Sequence, residues 1–492
     1  AAGFQANLDI VGGAGLSTLN LNAQNGNLDI VPNDGSATIS PGTTFAIDFT
    51  DLNVINVTNV GGAVTIDSFV TGSLTTRLSR TATGHRVELS NGVAPVNFAG
   101  GTGFFLFGGF GGDNFIIQET AFGLPTFAGT APGAHGNSAF TASGLAPSNV
   151  GIHFDGFGGP SSSDLLTFNL TSARFVSYFP DSLDTPNSGV INIANAFTLS
   201  FEAITPILMN GAGGTLVVNG SALPGLTQIN IADDGVAANG LSLITGDGGF
   251  EAVTFGGFGS LVVQGGNNGA NQTINLIGLD TATSLGSVTL AGGLLNGTEN
   301  AAQNTLQIFS LLPGVALSLV SSTANDFYVF GNAAPTVDNI RGGPINVGTL
   351  GAAGGFDSLL VLDGGSAFSK SVTVTSNVIS GLLGIPGNSP NINYNLGDHV
   401  ENVLLNRNGG GNGLNISFSI LSTALGTTYD IFTDNGADSF FITSGAPGSE
   451  GNLDGINGSI TIGSGTGFDF LGVSDLTDNT GADYSLDTVV LG

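Results

Sequence analysis

A short apolar segment recurs along the chain, often directly after an acidic residue, and this repetition most constrains the fold. The copies are FIIQ (115–118), SDLLTFNL (163–170), GTLVVNG (214–220), GSLVVQGG (259–266), NTLQIFSL (304–311), NDFYVFG (325–331), DSLLVLDGG (357–365) and DSFFITSG (438–445). Two separations between acidic residues, Asp326 to Asp357 and Asp438 to Asp469, equal 31 residues. Segments this short and rich in Val, Ile, Leu and Phe are typical of strands.

A second element precedes several copies of the segment. It reads FEAI (201–204), FEAV (250–253), VDNI (337–340) and VENV (400–403). Element, glycine-rich turn and strand form a unit of about 20 to 50 residues, the range that indicates a stacked repeat architecture. We therefore predict an all-β protein built as an irregular β-solenoid, similar to a parallel β-helix, with a tandem array of β-sandwiches as the alternative. The 81 glycines suit the tight corners of such a fold.

The pattern predicts three regions. Residues 1–120 alternate polar and apolar positions and form an N-terminal β-strand region. Residues 121–160 loosen into Gly, Pro, Ser and Ala and are predicted as an irregular, loop-rich excursion. Residues 161–492 carry the recurring segments and form the β-repeat body.

The charge is strongly acidic, with 36 acidic against 7 basic residues and a formal net charge of −29. The basic residues are too few and too scattered to form a cationic stripe, which argues against nucleic acid as a partner. The acidic charge instead favours divalent cations or cationic partners. No uninterrupted apolar run approaches the ~20 residues of a spanning helix, so no membrane insertion is expected.

The absence of cysteine leaves stability to backbone hydrogen bonds and core packing. The first residues, Ala1, Ala2 and Gly3, are those expected after removal of a signal peptide at a small-residue site. The sequence therefore predicts a secreted protein located outside the cell or at its surface.

At the recurring segments the chain resembles secreted, glycine-rich β-strand-repeat proteins of environmental bacteria. Their repeats run as an apolar-Glu-Asn/Ala-aliphatic strand, a glycine-rich turn, then Gly-Asp/Asn and a second strand. The resemblance covers about residues 100–490. It implies an extracellular β-solenoid or β-sandwich array used in adhesion, surface coats or fibres.

The stretch GGFGGDNFI (108–116) also resembles the calcium-binding nonapeptide of repeats-in-toxin proteins, Gly-Gly-x-Gly-x-Asp-x-apolar-x. This resemblance implies a calcium site at Asp113 and at the partial Gly-x-Asp copies that contain Asp357, Asp438 and Asp469. Calcium in such repeats is held by aspartates and carbonyls of successive turns. The other interpretation is that Gly-x-Asp is turn chemistry that leads into a strand.

Catalytic chemistry is not indicated, and we predict that the protein is not an enzyme. The alternative of a polysaccharide-degrading β-helix enzyme rests on Arg77, Arg80 and Arg86, interpreted as an exposed strand face, and on the adjacent carboxylates Asp233 and Asp234, interpreted as a turn. Hydrolysis needs two carboxylates that flank a cleft, which neighbours on one strand cannot provide. The four histidines lack the short spacing of metal ligands.

The favoured function is structural, a protein that self-assembles into an extracellular layer or filament. Two alternating segments, residues 4–11 and 485–492, suggest terminal-strand exchange between subunits, because an apolar edge strand is a template for pairing with another chain. The partner is then the protein itself, with surface glycans as a further candidate. The alternative function is a calcium-dependent adhesin or a carbohydrate-binding protein.

Overall fold

Strands are the only regular secondary structure in the part of the chain that the structure describes. The structure is a computed structural model, and the described residues are 8–11, 18–23, 28–33, 36–41, 47–50, 52, 54–60, 62–67, 73–90, 93–107, 112–127, 150–156, 164–181, 188–194, 196–221, 223, 225–266, 269–293, 303–331, 336–349, 354–407, 413–445 and 451–477. None of these residues belongs to a helix of the length and hydropathy that crossing a membrane requires.

The strands are short, most of them four to six residues long. The first nineteen are β1 (Leu8–Val11), β2 (Thr18–Asn22), β3 (Leu28–Asn33), β4 (Ser36–Pro41), β5 (Ile47–Thr50), β6 (Val54–Val60), β7 (Ala63–Asp67), β8 (Thr75–Arg80), β9 (His85–Leu89), β10 (Val96–Gly100), β11 (Gly103–Phe107), β12 (Asn114–Gln118), β13 (Val150–Asp155), β14 (Leu165–Asn169), β15 (Phe175–Asp181), β16 (Ser188–Ile193), β17 (Phe197–Glu202), β18 (Ile207–Asn210) and β19 (Thr215–Asn219). The others are β20 (Gln228–Asp233), β21 (Leu241–Gly246), β22 (Val253–Gly256), β23 (Ser260–Gln264), β24 (Gln272–Leu276), β25 (Ser287–Ala291), β26 (Gln303–Ile308), β27 (Ala316–Val320), β28 (Asn325–Phe330), β29 (Ile345–Thr349), β30 (Ser358–Leu362), β31 (Lys370–Val374), β32 (Val378–Ser380), β33 (Ile392–Asn393), β34 (Asn402–Asn406), β35 (Ile416–Ile420), β36 (Thr428–Phe432), β37 (Ser439–Ile442), β38 (Ser459–Gly463) and β39 (Phe470–Val473).

The chain divides into two compact units. The first unit comprises Ala1–Leu226, Ala238–Leu261 and Ala282–Leu285, and the second comprises Thr227–Ala237, Val262–Thr281 and Gly286–Gly492. The predicted boundaries at residues 120 and 160 are different positions and stay a prediction. Within the segment predicted as an irregular excursion, residues 150–155 form β13, and residues 128–149 lie outside the described part.

Strands of two sheets, called sheet A and sheet B, alternate along the chain, and parallel pairs predominate in both. In the second unit, β24, β26, β28, β30, β34, β36 and β38 follow one another as parallel neighbours in sheet B. Two strands that pair in parallel need a connection that brings the chain back to the end of the sheet where the first strand began. In an all-β chain, a series of such connections produces the coiled path of a solenoid, whereas β-sandwiches are antiparallel. The all-β prediction is confirmed, and the pairing is that of a β-solenoid. We call one strand of sheet A with the neighbouring strand of sheet B a rung.

The core consists of rows of apolar side chains in register across successive rungs. One row in sheet B of the second unit runs through Ile229, Ile274, Leu306, Tyr328, Leu359, Val403, Tyr429 and Ile460. A row in sheet A of the first unit runs through Val64, Phe104, Ile152 and Leu199. All of these side chains except Ile460 are buried. Each burial stabilises the fold by about 1.5–3 kcal/mol, which explains why alternate strand positions are apolar.

Antiparallel three-strand meanders interrupt the parallel stacking. In β8–β10, the first strand pairs in parallel with β12 and the third pairs in parallel with β6, so the chain runs back over two strand positions, from β8 through β9 to β10, before it continues at β12. The meanders β3–β5, β15–β17 and β31–β33 are connected in the same way. These insertions explain why the sequence repeats differ in length.

Candidate functional site

Asp113 lies immediately before β12 and is buried. Its Oδ1 accepts the backbone N–H of Leu74 at 2.7 Å, and its own backbone N–H donates to Oδ1 of Asp164 at 2.7 Å. The carboxylate therefore holds the start of a neighbouring strand, and the same contact recurs in the next rung. Gly108, Gly109 and Gly111 of the nonapeptide-like stretch lie outside the described residues.

Asp357 takes the same position before β30 in the second unit. Its Oδ1 accepts the backbone N–H of Asp326 at 3.0 Å, and its own N–H donates to Oε2 of Glu401 at 2.6 Å. The 31-residue separation of Asp326 and Asp357 is therefore a direct contact between successive rungs of sheet B. Glu401 is the acidic residue of the recurring VENV element, so that element supplies the next acceptor.

Asp438 and Asp469, the other pair separated by 31 residues, contact each other in the same way in sheet A. The backbone N–H of Asp438 donates to Oδ1 of Asp469 at 3.0 Å, and Oδ1 of Asp438 accepts the N–H of Ile416 at 2.9 Å. We call this recurring arrangement the acid ladder. Each acidic side chain accepts a backbone N–H at the strand start of the preceding rung, and charge-assisted bonds of this type are stronger than neutral ones.

The glycine of Gly-x-Asp is explained by the close approach of the rungs. A Cβ on Gly355 would overlap the carbonyl oxygen of Ala324, and a Cβ on Gly467 would overlap that of Gly436. Gly355 also has φ +89°, a conformation that L side chains rarely adopt. Glycine lets the backbone of one rung lie against a carbonyl oxygen of the preceding rung. The carboxylate of the aspartate then accepts a hydrogen bond from a backbone N–H of that preceding rung.

Burial gives the acid ladder unusual protonation properties. Burial and the nearby charge of Asp326 raise the pKa of Asp357 to about 8. Burial also raises the pKa of Asp438. Tyr328, whose hydroxyl lies 3.5 Å from Oδ2 of Asp326, has its pKa raised by burial and by that neighbouring charge. A buried carboxyl group that is not paired with a cation favours its neutral form.

The four aspartates predicted as calcium ligands are not brought together as one site. Asp438 and Asp469 are in contact, Asp357 starts a strand of the other sheet, and Asp113 belongs to the first unit. Among the described residues no group of three or more His, Asp or Glu side chains has the arrangement of a metal site. Calcium takes six to eight oxygen ligands, and the acid-ladder residues do not fit that requirement. The calcium prediction itself stays a prediction.

A second buried group of charges, which sequence reasoning missed, surrounds Lys370 at the start of β31. Its Nζ lies 3.1 Å from Oδ1 of Asp338 and 3.0 Å from Oδ2 of Asp363, and it donates to the carbonyl of Leu382 at 2.6 Å. Arg407 is also buried nearby, and its charge acts on Asp363. These residues are far apart in sequence. The only feature of the sequence that could have indicated a buried charged group is the single lysine within an alternating strand pattern.

The carboxylates and cations considered for catalysis have structural contacts. Arg86 lies 2.8 Å from the carboxylate of Glu88 on the same strand, β9, and Arg77 on β8 lies 3.5 Å from it across the β8–β9 pair. Asp233 and Asp234 accept the N–H groups of Gly235 and Val236 at 2.7 Å and 2.9 Å, which is turn chemistry. These contacts give no pair of carboxylates across a cleft.

The histidine best defined by its contacts belongs to the core of the first unit. The ring of His85 stacks on Phe127 with centroids 4.6 Å apart, and Nε2 accepts the N–H of Thr126 at 3.2 Å. Burial and the charge of Arg80 lower the pKa of His85 to about 4. His85 is therefore neutral at physiological pH and acts as an aromatic packing residue.

Comparison with known proteins adds no family to this description. No protein-family model matches the sequence, and a search of curated proteins found no significant match.

Proposed function

We propose that this protein is a structural, extracellular protein that associates with copies of itself to form a layer or filament. The single observation that carries the proposal is the exposed last described rung of the second unit. In one row of sheet A, Phe418 and Phe440 are each 1% exposed, whereas Leu471, their counterpart on β39, is 44% exposed. An apolar position that is covered in the two preceding strands of the row is thus uncovered in this one.

Other apolar side chains extend the exposed surface. Phe468, Phe470, Val473 and Leu476 are all exposed. In sheet B, Ile460 and Ile462 on β38 are partly exposed, while Tyr429 and Ile431 in the preceding strand are fully buried. Among the described strands, β39 pairs with β37 on one side. An apolar patch next to such an edge strand is typical of an association surface.

The first described strand of sheet B in the first unit, β2, also has apolar positions that are less covered than those of its neighbour. Leu19 and Leu21 on β2 are partly exposed, whereas Ile55 and Val57, their partners on β6, are buried. Asn20 ends a ladder in which Asn97 donates to Asn56 and Asn56 donates to Asn20, at 3.0 Å and 2.9 Å. A second copy offers parallel strands of the same chemistry to such a surface, and a contact between two different surfaces of the chain produces an open filament unless it closes into a ring.

The two terminal segments of the sequence were predicted to exchange between subunits. Residues 8–11 form β1 and pair in parallel with β5 of the same chain. Residues 485–492 lie outside the described part, so strand exchange through them stays a prediction. The extracellular location follows from the resemblance of the repeats, and no contact of the described residues favours the adhesin or glycan-binding alternative.

Sedimentation across a concentration series tests the proposal. Changing Leu471 and Val473 together to serine removes two exposed apolar side chains, each worth about 1–2 kcal/mol when covered, and should weaken association at least tenfold. Val236→Ser, at an exposed apolar position in a turn of another part of the chain, is the matched control and should associate like wild type. A wild-type protein that stays monomeric at high concentration would contradict the proposal.

A further inference from the structure

Lys370 is the only lysine of the sequence, and its side chain is 3% exposed. Lysine is among the residues that are least often fully buried. Its Nζ is enclosed by Asp338, Asp363 and the carbonyl of Leu382, all within 3.1 Å. An amine held at this distance from two carboxyl groups is positioned for a condensation that the same groups do not undergo in water. The fold holds the amine and the carboxyl groups together, so the reaction does not depend on their random encounter in solution.

We propose that Nζ of Lys370 and the side-chain carboxyl of Asp338 condense to an intramolecular amide, with Asp363 as the acid–base group. The ammonium of Lys370 first transfers a proton to Oδ2 of Asp363, which leaves a neutral amine beside a neutral acid. The protonated Asp363 gives its proton to one oxygen of Asp338 as the nitrogen lone pair forms a bond to Cγ of that residue. The second amine proton then moves to the same oxygen, the bond between Cγ and this oxygen breaks, and one water leaves. The ammonium and carboxylate thereby become one amide and one water, with no oxidant or cofactor.

The contacts of the two aspartates separate their roles. Oδ1 of Asp338 accepts the hydroxyl of Ser366 at 2.8 Å, and Oδ2 accepts the N–H of Ala367 at 3.3 Å. These donors stabilise the negative charge that develops on the oxygens of Asp338 when its carbon is attacked. The side chain of Asp338 is 14% exposed, which gives the released water a route out.

Asp363 has the surroundings of a proton carrier. Its side chain is 1% exposed, and Oδ1 accepts the N–H of Val337 at 3.2 Å, which orients Oδ2 toward Lys370. Burial raises the pKa of Asp363, although Lys370 and Arg407 oppose the shift. A carboxylate whose proton affinity is raised by its site takes up the ammonium proton and later releases it, and so serves as base and then as acid in one reaction.

The proposed bond would link the turn before β29 to the first residue of β31. Asp338 and Lys370 are 32 residues apart, so the amide would close a loop that contains β29 and β30. A cross-link restricts the unfolded chain and so stabilises the folded one. This chain has no cysteine to form a disulfide.

Mass spectrometry of the intact wild-type protein tests the proposal directly. The expected mass is that of the sequence less one water, and the expected protease digest contains a branched peptide that joins the segments around residues 338 and 370. An amine-reactive reagent should leave Lys370 unmodified even in denaturant. The branched peptide distinguishes this product from water loss by cyclisation at an Asp-Gly pair such as Asp454-Gly455.

Four variants assign the roles. Lys370→Arg keeps the charge but has no primary amine, and Asp363→Asn removes the acid–base group, so both should show the full mass of their sequences. Asp338→Asn should lose one ammonia instead of one water, because the same carbon then carries an amide. Asp454→Asn, at an exposed turn position, is the matched control and should lose one water like wild type.

Two outcomes would overturn the proposal. The first is a wild-type protein of full mass whose Lys370 reacts with the amine reagent in denaturant, since this measurement needs no variant to fold. The second is loss of ammonia from Asp363→Asn with full mass in Asp338→Asn, which would show that the two aspartates have been assigned the wrong roles.

Discussion

Asp357 shows at the scale of one residue how burial and hydrogen bonding oppose each other. Its carboxyl group accepts the N–H of Asp326, yet burial raises its pKa from 3.8 to about 8. Between these values the folded protein holds a proton that the unfolded chain has released. Raising the pH through this window therefore lowers the free energy of unfolding, and the loss is complete above the folded pKa.

Asp357→Asn should flatten this dependence, because asparagine keeps an acceptor for Asp326 and does not ionise. We expect its melting temperature to exceed that of wild type at pH 8 and the difference to shrink toward pH 5. Glu251, whose pKa burial also raises to about 8, would retain part of the slope. Asp469→Asn is the matched control, since it accepts the same type of N–H but is exposed. Parallel wild-type and Asp357→Asn profiles would contradict the prediction.

Glycine is required at a rung contact for two reasons, a positive φ angle and the close approach of a carbonyl oxygen, and comparison of Gly355 with Gly387 distinguishes them. Gly355 has φ +89°, and a Cβ there would overlap the carbonyl of Ala324, whereas Gly387 has φ +84° with nothing within 4 Å of an added Cβ. Gly387→Ala should cost about 1 kcal/mol from backbone strain alone. Gly355→Ala should cost at least about 2 kcal/mol, because the rung must also shift. Urea denaturation of both variants measures the difference, and equal losses would show that close approach of the rungs is unimportant.

At the scale of the element, a strand is held in place by an acid that belongs to the next rung. Asp438→Ala would leave the N–H of Ile416 without its acceptor at the start of β35. A buried donor without a partner costs about 1–3 kcal/mol. We expect faster hydrogen exchange at Ile416 in Asp438→Ala, with Asp438→Asn close to wild type because its Oδ1 remains. Unchanged exchange in Asp438→Ala would remove the acid ladder as a determinant of strand position.

The strands of the repeat were predictable because they are short segments rich in Val, Ile, Leu and Phe. The segment DSLLVLDGG contains β30. The two pairs of aspartates that are 31 residues apart in the sequence are joined by hydrogen bonds between successive rungs. The backward meanders were not predictable, since β8, β9 and β10 have the same alternation as strands that stack in parallel. The site around Lys370 was also missed, because Asp338 and Asp363 come next to it only through the pairing of distant strands.

At the scale of the whole molecule, a large acidic charge coexists with a small number of buried cations. The formal net charge is −29. Self-repulsion at this charge destabilises a compact state and opposes association of copies. Salt screens such repulsion, with a Debye length of about 8 Å at physiological ionic strength. Both the folded state and the proposed assembly should therefore be stabilised by added salt.

Melting in sodium, magnesium and calcium chlorides at equal ionic strength distinguishes screening from a specific calcium site. We expect the melting temperature to rise with ionic strength and to be equal in calcium and magnesium, because Oδ1 of Asp113 and Oδ1 of Asp438 already accept backbone N–H groups. A ligand that binds only the folded state must raise the melting temperature, by an amount that grows with the ratio of its concentration to its Kd. A rise that calcium alone produces, that a chelator reverses and that Asp113→Asn abolishes would contradict this expectation and support the calcium site that the nonapeptide resemblance implies.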